Sequence, residues 1–232
     1  MKRNQSGFTL IEIAIVLVII GLLLGGVLKG QELINSAKVK NLATDFKNIP
    51  VFIYGYQDKF KALPGDDANA VAHLPSPAAT CTGAPAVVAG QCDVGNGTID
   101  GNWQDATAVS ETYMFWQHVR LAGLAPGSTD PAVPASYRPV NAVGGYIGVT
   151  NVAKSPINTL KGSYIVCSDA IAGKFAKQLD TTLDDGDPLK GSLQITAAGT
   201  TTPATPTKVG GGAITGVADI IDDSNYLVCM GF

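Results

Sequence analysis

Apolar residues form one dense block near the start of the chain, whereas the remainder alternates short apolar runs with polar turns. The block covers residues 8–28 and follows the polar, basic leader MKRNQSG. At 1.5 Å per helical residue, about twenty residues span about 30 Å, which is the thickness of a bilayer core. The pattern therefore predicts a membrane-spanning helix at residues 8–28 behind a short leader at residues 1–7.

A second helical pattern continues from this block at residues 29–60. Its apolar positions recur at steps of three and four, which places them on one face of a helix. They are Val39, Leu42, Ala43, Phe46, Ile49, Ile53, Tyr56 and Phe60. This face predicts an amphipathic continuation of the helix that packs on a globular domain at residues 61–232. Pro50 predicts a kink or a break in it.

The apolar block alone would also suit an ordinary secretory signal peptide, with Gly25 and Gly26 as a weak cleavage site. Two features argue against that interpretation. Glu12 lies inside the block, where the free-energy cost of inserting an acidic residue into a membrane is about 2.5 to 3.5 kcal/mol. It is therefore a functional candidate. The amphipathic continuation is the second feature, because it favours one long helix over a removable peptide.

The stretch GFTLIE at residues 7–12, with basic residues before it and an apolar run after it, resembles the processing site of type IV prepilins and type II secretion pseudopilins. The resemblance implies that a prepilin peptidase cuts between Gly7 and Phe8 and that the new Phe8 amine is methylated. It also implies that Glu12 acts in assembly. Lys29 stands where helices of this family often carry a proline, so a proline-induced melting of the helix is not expected.

The same resemblance implies an α+β fold, in which a long N-terminal helix packs on an antiparallel sheet with loop-rich insertions. The expected function is a structural subunit of a helical homo-oligomeric filament, built by an inner-membrane assembly machine. The precursor would be a single-pass protein of the bacterial inner membrane, and the product an extracellular pilus. A periplasmic pseudopilus of type II secretion is one alternative. A membrane-anchored periplasmic binding module or enzyme is an alternative from another class.

The distal region carries patterns for both helices and strands. Helices are predicted at residues 110–122, with Ser110 as N-cap, and at residues 170–183, with Asp169 as N-cap. Strand patterns occur in GYIGVTNV, KGSYIVCS, GSLQIT and the terminal NYLVCMGF. The Thr-, Pro- and Gly-rich residues 197–216 lack a core pattern and predict an exposed loop. This mixture supports the α+β class.

Catalytic and nucleic-acid-binding signatures are missing from the sequence. It contains no GxSxG, no Walker A and no HExxH pattern, and its two histidines, His73 and His118, are isolated in sequence. The formal net charge of -3 argues against general nucleic-acid binding, which needs basic patches. We therefore predict no enzyme activity and no nucleic-acid partner.

Three carboxylates cluster at the predicted C-terminus of the second distal helix. Asp184, Asp185 and Asp187 surround Gly186, and anions there oppose the helix macrodipole. A bound cation would relieve that repulsion, and calcium prefers oxygen ligands. Solvated turn residues are the simpler interpretation, which we favour, and no other cofactor is expected.

The four cysteines, an even number, suit disulfides in an oxidising compartment such as the periplasm. Four cysteines allow three pairings. We favour Cys81–Cys92, which closes a short loop, and Cys167–Cys229, which joins two predicted strands. Four reduced, buried thiols are the alternative.

Overall fold

The structure, a computed structural model, describes residues 10–76, 78–81 and 92–232. Its α-helices are α1 (Leu10–Phe60), α2 (Ala70–His73), α3 (Glu111–Leu121), α4 (Pro134–Tyr137) and α5 (Gly173–Leu183). Its strands are β1 (Ile147–Asn151), β2 (Tyr164–Ala172), β3 (Leu193–Ala197) and β4 (Asn225–Gly231). The predicted α+β class is confirmed, because a long N-terminal helix packs on an antiparallel sheet.

The chain divides into two units, Met1–Lys38 and Val39–Phe232, and the boundary falls within α1. We call the second the globular unit. The helix runs through Pro50 without a break, although proline removes one helical hydrogen bond. Phe46 and Ile53, on either side of the proline, are almost fully buried. Packing therefore keeps the helix unbroken at Pro50, where the sequence predicted a kink or a break.

The outer part of α1 contributes one buried face to the main core of the globular unit. That face consists of Val39, Leu42, Ala43, Phe46, Ile49, Ile53 and Tyr56. All of them except Tyr56 share one apolar cluster with the sheet, including Val149 of β1, Val166 of β2 and Val228 of β4. Burying a large apolar side chain fully contributes about 1.5–3 kcal/mol. The predicted stripe, which begins at Val39, is thus the surface on which the sheet packs as far as Ile53.

The sheet has four strands in the order β1-β2-β4-β3, and every pair is antiparallel. The ladder between β2 and β4 shifts register between Ser168 and Ile171. Beyond this irregularity β2 continues to Ala172, opposite Asn225. The backbone of Trp103 lies so close to Gly148 of β1 that a Cβ at Gly148 would collide with it. Glycine at that position is therefore required for the loop to cover the strand.

Two sequence predictions in this region are wrong. Asp169 does not cap a helix, because it lies in β2 and α5 begins only after Ala172. Strand pairing with β4 outcompetes the local helical pattern there. Residues 197–216 are not simply an exposed loop either. Ile214 is buried in the main core, and the Ala197 N–H donates to the Thr207 carbonyl, so the segment lines the edge of β3.

The disulfides join Cys167 to Cys229 and Cys81 to Cys92. Cys167 of β2 lies directly opposite Cys229 of β4 in the ladder. Both are fully buried in a second apolar cluster that includes Trp103. The other bond closes residues 82–91, which lie outside the described part of the chain. The pairings are those favoured from the sequence, and the first one places the C-terminal strand at the centre of the sheet.

The two disulfides are expected to stabilise the globular unit unequally. They close sequence separations of 62 and 11 residues, and chain-entropy estimates give about 4 and about 3 kcal/mol. The Cys167→Ala/Cys229→Ala variant should therefore lose more free energy of unfolding than Cys81→Ala/Cys92→Ala. Urea unfolding of the full chain in detergent, followed by tryptophan fluorescence, measures this. An equal or reversed loss would contradict the assignment.

Candidate processing and assembly segment

The N-terminal part of α1 exposes apolar side chains around its whole circumference. Every Leu, Ile and Val from Leu10 to Leu28 is at least 46 % exposed within the chain. Within the described residues, α1 is the helix long and apolar enough to cross a membrane, and its most apolar window has a mean hydropathy of 2.8. A helix that is apolar all round needs an apolar environment on every side. Lipid tails or other helices can supply it.

Small residues interrupt this apolar surface. Gly21, Gly25 and Gly26 lie in the segment, and a Cβ built on any of them would meet nothing within 4 Å. The chain's own packing therefore does not require glycine at these positions. In membranes, small residues let helix backbones approach one another closely. They make this part of α1 suited to packing against other helices.

Glu12 lies in the first turn of α1, with the exposed side chains of Ile11 and Ile13 on either side. A carboxylate near a helix N-terminus interacts favourably with the macrodipole, but its charge is costly within lipid. Gly7 and Phe8, the predicted cleavage residues, lie outside the described part of the chain. Of the predicted processing and assembly residues, the structure therefore places Glu12.

A comparison with known families decides the nature of this segment. The family model of the prokaryotic N-terminal methylation motif matches residues 2–28. The chain carries a prepilin-type cleavage and methylation segment, as type IV pilins and pseudopilins do. The prepilin-type segment and the apolar helix together fit a membrane-anchored precursor. No curated protein matches the chain.

Beyond the prepilin-type segment, the globular unit buries a glutamate of the helix predicted at residues 110–122. Glu111 at the start of α3 is fully buried. Its Oε1 accepts the N–H of Asp93 at 2.6 Å, and its Oε2 accepts the N–H of Asp100 at 2.8 Å. Burial, helped by the nearby carboxylates of Asp66 and Asp100, raises the pKa of Glu111 to about 8. The side chain holds the loop after Cys92 against α3.

Asp66 holds the same loop from the other side. Its carboxylate accepts the backbone N–H groups of Gly95, Asn96 and Gly97. A short polar loop with few apolar side chains of its own depends on hydrogen bonds to its backbone N–H groups. Asp66 and Glu111 together accept five of them. Asp66 therefore has a structural role.

His118 also has a structural role, because both of its ring nitrogens bond to backbone groups. Nδ1 accepts the N–H of Gly65 at 2.9 Å, so Nε2 carries the proton and donates to the Ala79 carbonyl at 2.7 Å. The ring is fully buried, and this burial lowers the pKa of His118. A neutral, fully bonded imidazole ties α3 to the two loops that lead into and out of α2.

His73 is not isolated in the fold as it is in the sequence. Its Nδ1 lies 2.7 Å from Oδ2 of Asp67, which also accepts the hydroxyl of Tyr56. Burial opposes ionisation of Asp67, but the hydrogen bonds from His73 and Tyr56 outweigh it and lower its pKa. Among the described residues that line the adjoining cleft of about 410 Å³, none is a serine, a threonine or a cysteine. His73 is thus oriented by Asp67 without a described nucleophile in the cleft beside it.

The acidic cluster after α5 differs in membership from the predicted set. Asp184 and Asp185 approach Asp180, which the sequence analysis did not single out. Asp187 instead bonds to Lys190, with Oδ2 and Nζ 2.6 Å apart. Burial, then the charge of Asp185, raises the pKa of Asp180 to about 7, against the effect of a Gly186 N–H. Helical periodicity at Leu179 and Leu183 hid the inward-facing Asp180, because a core face is normally apolar.

Glu111 gives the globular unit a pH-dependent stability with a definite sign. The folded chain keeps the Glu111 proton between the ordinary pKa of 4.5 and about 8, whereas the unfolded chain has lost it. Its stabilising contribution is complete below pH 4.5 and falls, by at most about 1.4 kcal/mol per pH unit, as the pH rises toward 8. Between pH 5.5 and 8.5, wild type should therefore lose more free energy of unfolding than Glu111→Gln.

Urea unfolding at both pH values measures this difference in slope. Asp58→Asn is a matched control, because the Asp58 side chain is 91 % exposed and pairs only with Lys61 among the described residues. Its slope should equal that of wild type. If Glu111→Gln also kept the wild-type slope, Glu111 would not titrate in this range.

Proposed function

We propose that the chain is a structural subunit of a type IV pilus-family filament. The observation that carries this proposal is the continuity of the prepilin-type segment with α1. Residues 2–28 match the methylation motif, and the exposed apolar part of the same helix leads into its buried part from Val39 onward. A single helix thus bears a processing signal, a surface that needs other helices or lipid, and a folded unit.

The proposed assembly begins with a precursor held in the inner membrane by the apolar part of α1. Prepilin peptidase cuts after Gly7, and the amine of Phe8 is methylated. In the filament, the Glu12 carboxylate lies near the amine of a neighbouring Phe8. Opposite charges then compensate for the cost of each in an apolar environment. Assembly by an inner-membrane machine places the helices together and the globular units outside.

Pilus and secretion pseudopilus share this N-terminal chemistry, so the segment alone does not choose between them. The large globular unit, with disulfides Cys81–Cys92 and Cys167–Cys229, supports a pilus exposed outside the cell. Disulfide bonds form and persist in oxidising environments such as the periplasm and the cell surface. A membrane-anchored binding module or enzyme would instead keep its N-terminus and form no polymer.

Processing tests the proposal at its first step. In a cell that makes prepilin peptidase, mass spectrometry of the mature chain should find it starting at methylated Phe8. Gly7→Val should leave the precursor uncut, because a β-branched side chain crowds the site that glycine occupies. Ser6→Ala is the control and should be processed normally. An intact Met1 on the wild-type chain from such cells would contradict the proposal.

Assembly tests the role of Glu12. Glu12→Ala should be inserted and cut normally, but it should enter filaments at least about tenfold less often. An acidic residue costs about 2.5 to 3.5 kcal/mol in lipid, and assembly of the wild-type chain relieves this cost. Alanine carries no such cost, so the variant loses this driving force for assembly. A loss of 1.4 kcal/mol already corresponds to a tenfold change in the equilibrium. Quantitative mass spectrometry of purified filaments counts the copies.

Ile13→Ala is the matched control for this experiment, since it removes a comparable volume from the next position without changing charge. It should be incorporated nearly as often as wild type. Equal incorporation of Glu12→Ala and Ile13→Ala would remove Glu12 from the assembly chemistry.

A further inference from the structure

One side-chain oxygen of Asp180, near the end of α5, has no hydrogen-bond partner among the described residues. The residue is 1 % exposed, and this oxygen, Oδ1, is buried. A buried oxygen without a partner is destabilising, and more so if it is charged. Native proteins seldom leave such an atom without a proton donor, a water or an ion.

Two further carboxylates lie beside this atom. One ligand oxygen each from Asp180, Asp184 and Asp185 can be chosen so that all three lie within 4.8 Å of one another. Oxygens bound to one calcium ion at 2.3–2.6 Å are at most about 5.2 Å apart. The three oxygens are therefore close enough to contact a single ion.

The electrostatic environment of the cluster is negative. The carboxylates lie at the C-terminal end of α5, where the helix macrodipole is also negative. The ion pairs formed by described residues include Lys190 with Asp187, but none reaches Asp180, Asp184 or Asp185. Lys190 thus forms its ion pair with Asp187 and with none of the three cluster carboxylates.

We infer that Asp180, Asp184 and Asp185 bind a divalent cation, and that the oxygen-only ligand set selects calcium. Hard oxygen ligands favour calcium over zinc, which prefers nitrogen and sulfur. Asp185 is exposed, so an ion can enter from solvent and keep water ligands. Magnesium demands a stricter octahedron and loses its water less readily.

Such an ion would connect α5 to the edge of the sheet. Asp184 is the residue that follows α5, and its Oδ2 already accepts the N–H of Leu193 at the start of β3 at 2.7 Å. An ion on Asp184 therefore secures the connection between α5 and β3. This role concerns the stability of the globular unit and does not depend on the proposed filament function.

Thermal unfolding of the full chain in detergent tests the site. After chelation and buffer exchange, millimolar CaCl2 should raise the Tm of wild type by several degrees, and MgCl2 at the same concentration should raise it less. An ion whose free concentration is 100 times its Kd raises the free energy of unfolding by about 2.7 kcal/mol. The Asp184→Asn/Asp185→Asn variant should lose the calcium-dependent shift.

Two single variants separate the site from alternatives. Asp187→Asn is the matched control in the same loop and should keep the calcium shift, since Asp187 pairs with Lys190. Asp180→Asn should lose the shift while remaining folded without calcium, because it removes a buried charge. A wild-type Tm unchanged by calcium, or an equal shift in Asp184→Asn/Asp185→Asn, would overturn the inference.

Discussion

The structure depends on the burial of one face of α1 from Val39 to Ile53 against the antiparallel sheet. This face includes Phe46 and Ile53, on either side of Pro50, and its packing keeps the helix continuous through the proline. The same helix exposes apolar side chains all round before Leu28. One helix therefore meets two environments. Its part from Val39 onward packs within the globular unit, whereas its apolar N-terminal part needs lipid or other helices around it.

A second constraint organises the loops around the core. Residues 92–101 contribute few apolar side chains, and carboxylates rather than packing hold much of their backbone. Glu111 and Asp66 bond five N–H groups in this stretch, and His118 bonds the neighbouring loops. Buried polar groups are costly unless satisfied, so each of these side chains orders the backbone it bonds. The arrangement explains how a loop-rich domain keeps a defined shape.

Much of this fold could be predicted from the sequence, because its main signals are periodic. The apolar stripe of α1 and the four strands follow from patterns in which neighbouring positions agree. The positions of Cys167 and Cys229 in two of these strands favoured their pairing but did not exclude the other two pairings. The failures have a common physical cause, since they depend on distant residues. Asp169 matches the pattern of a helix cap, but pairing with β4 extends strand β2 beyond it. The burial of Asp180 and Glu111 depends on segments far away in sequence. Single-sequence patterns carry no information about such contacts.

The central claim is that the N-terminal helix is an assembly surface, and site-specific photo-crosslinking in living cells tests it most directly. A photoreactive amino acid at Leu17, a residue 64 % exposed within the chain, would lie between packed helices in a filament. The account predicts a ladder of covalent adducts among chains with prepilin-type N-termini in cells that make prepilin peptidase, and its loss in cells without the enzyme. Monomer alone, or the same adducts in both cell types, would contradict it.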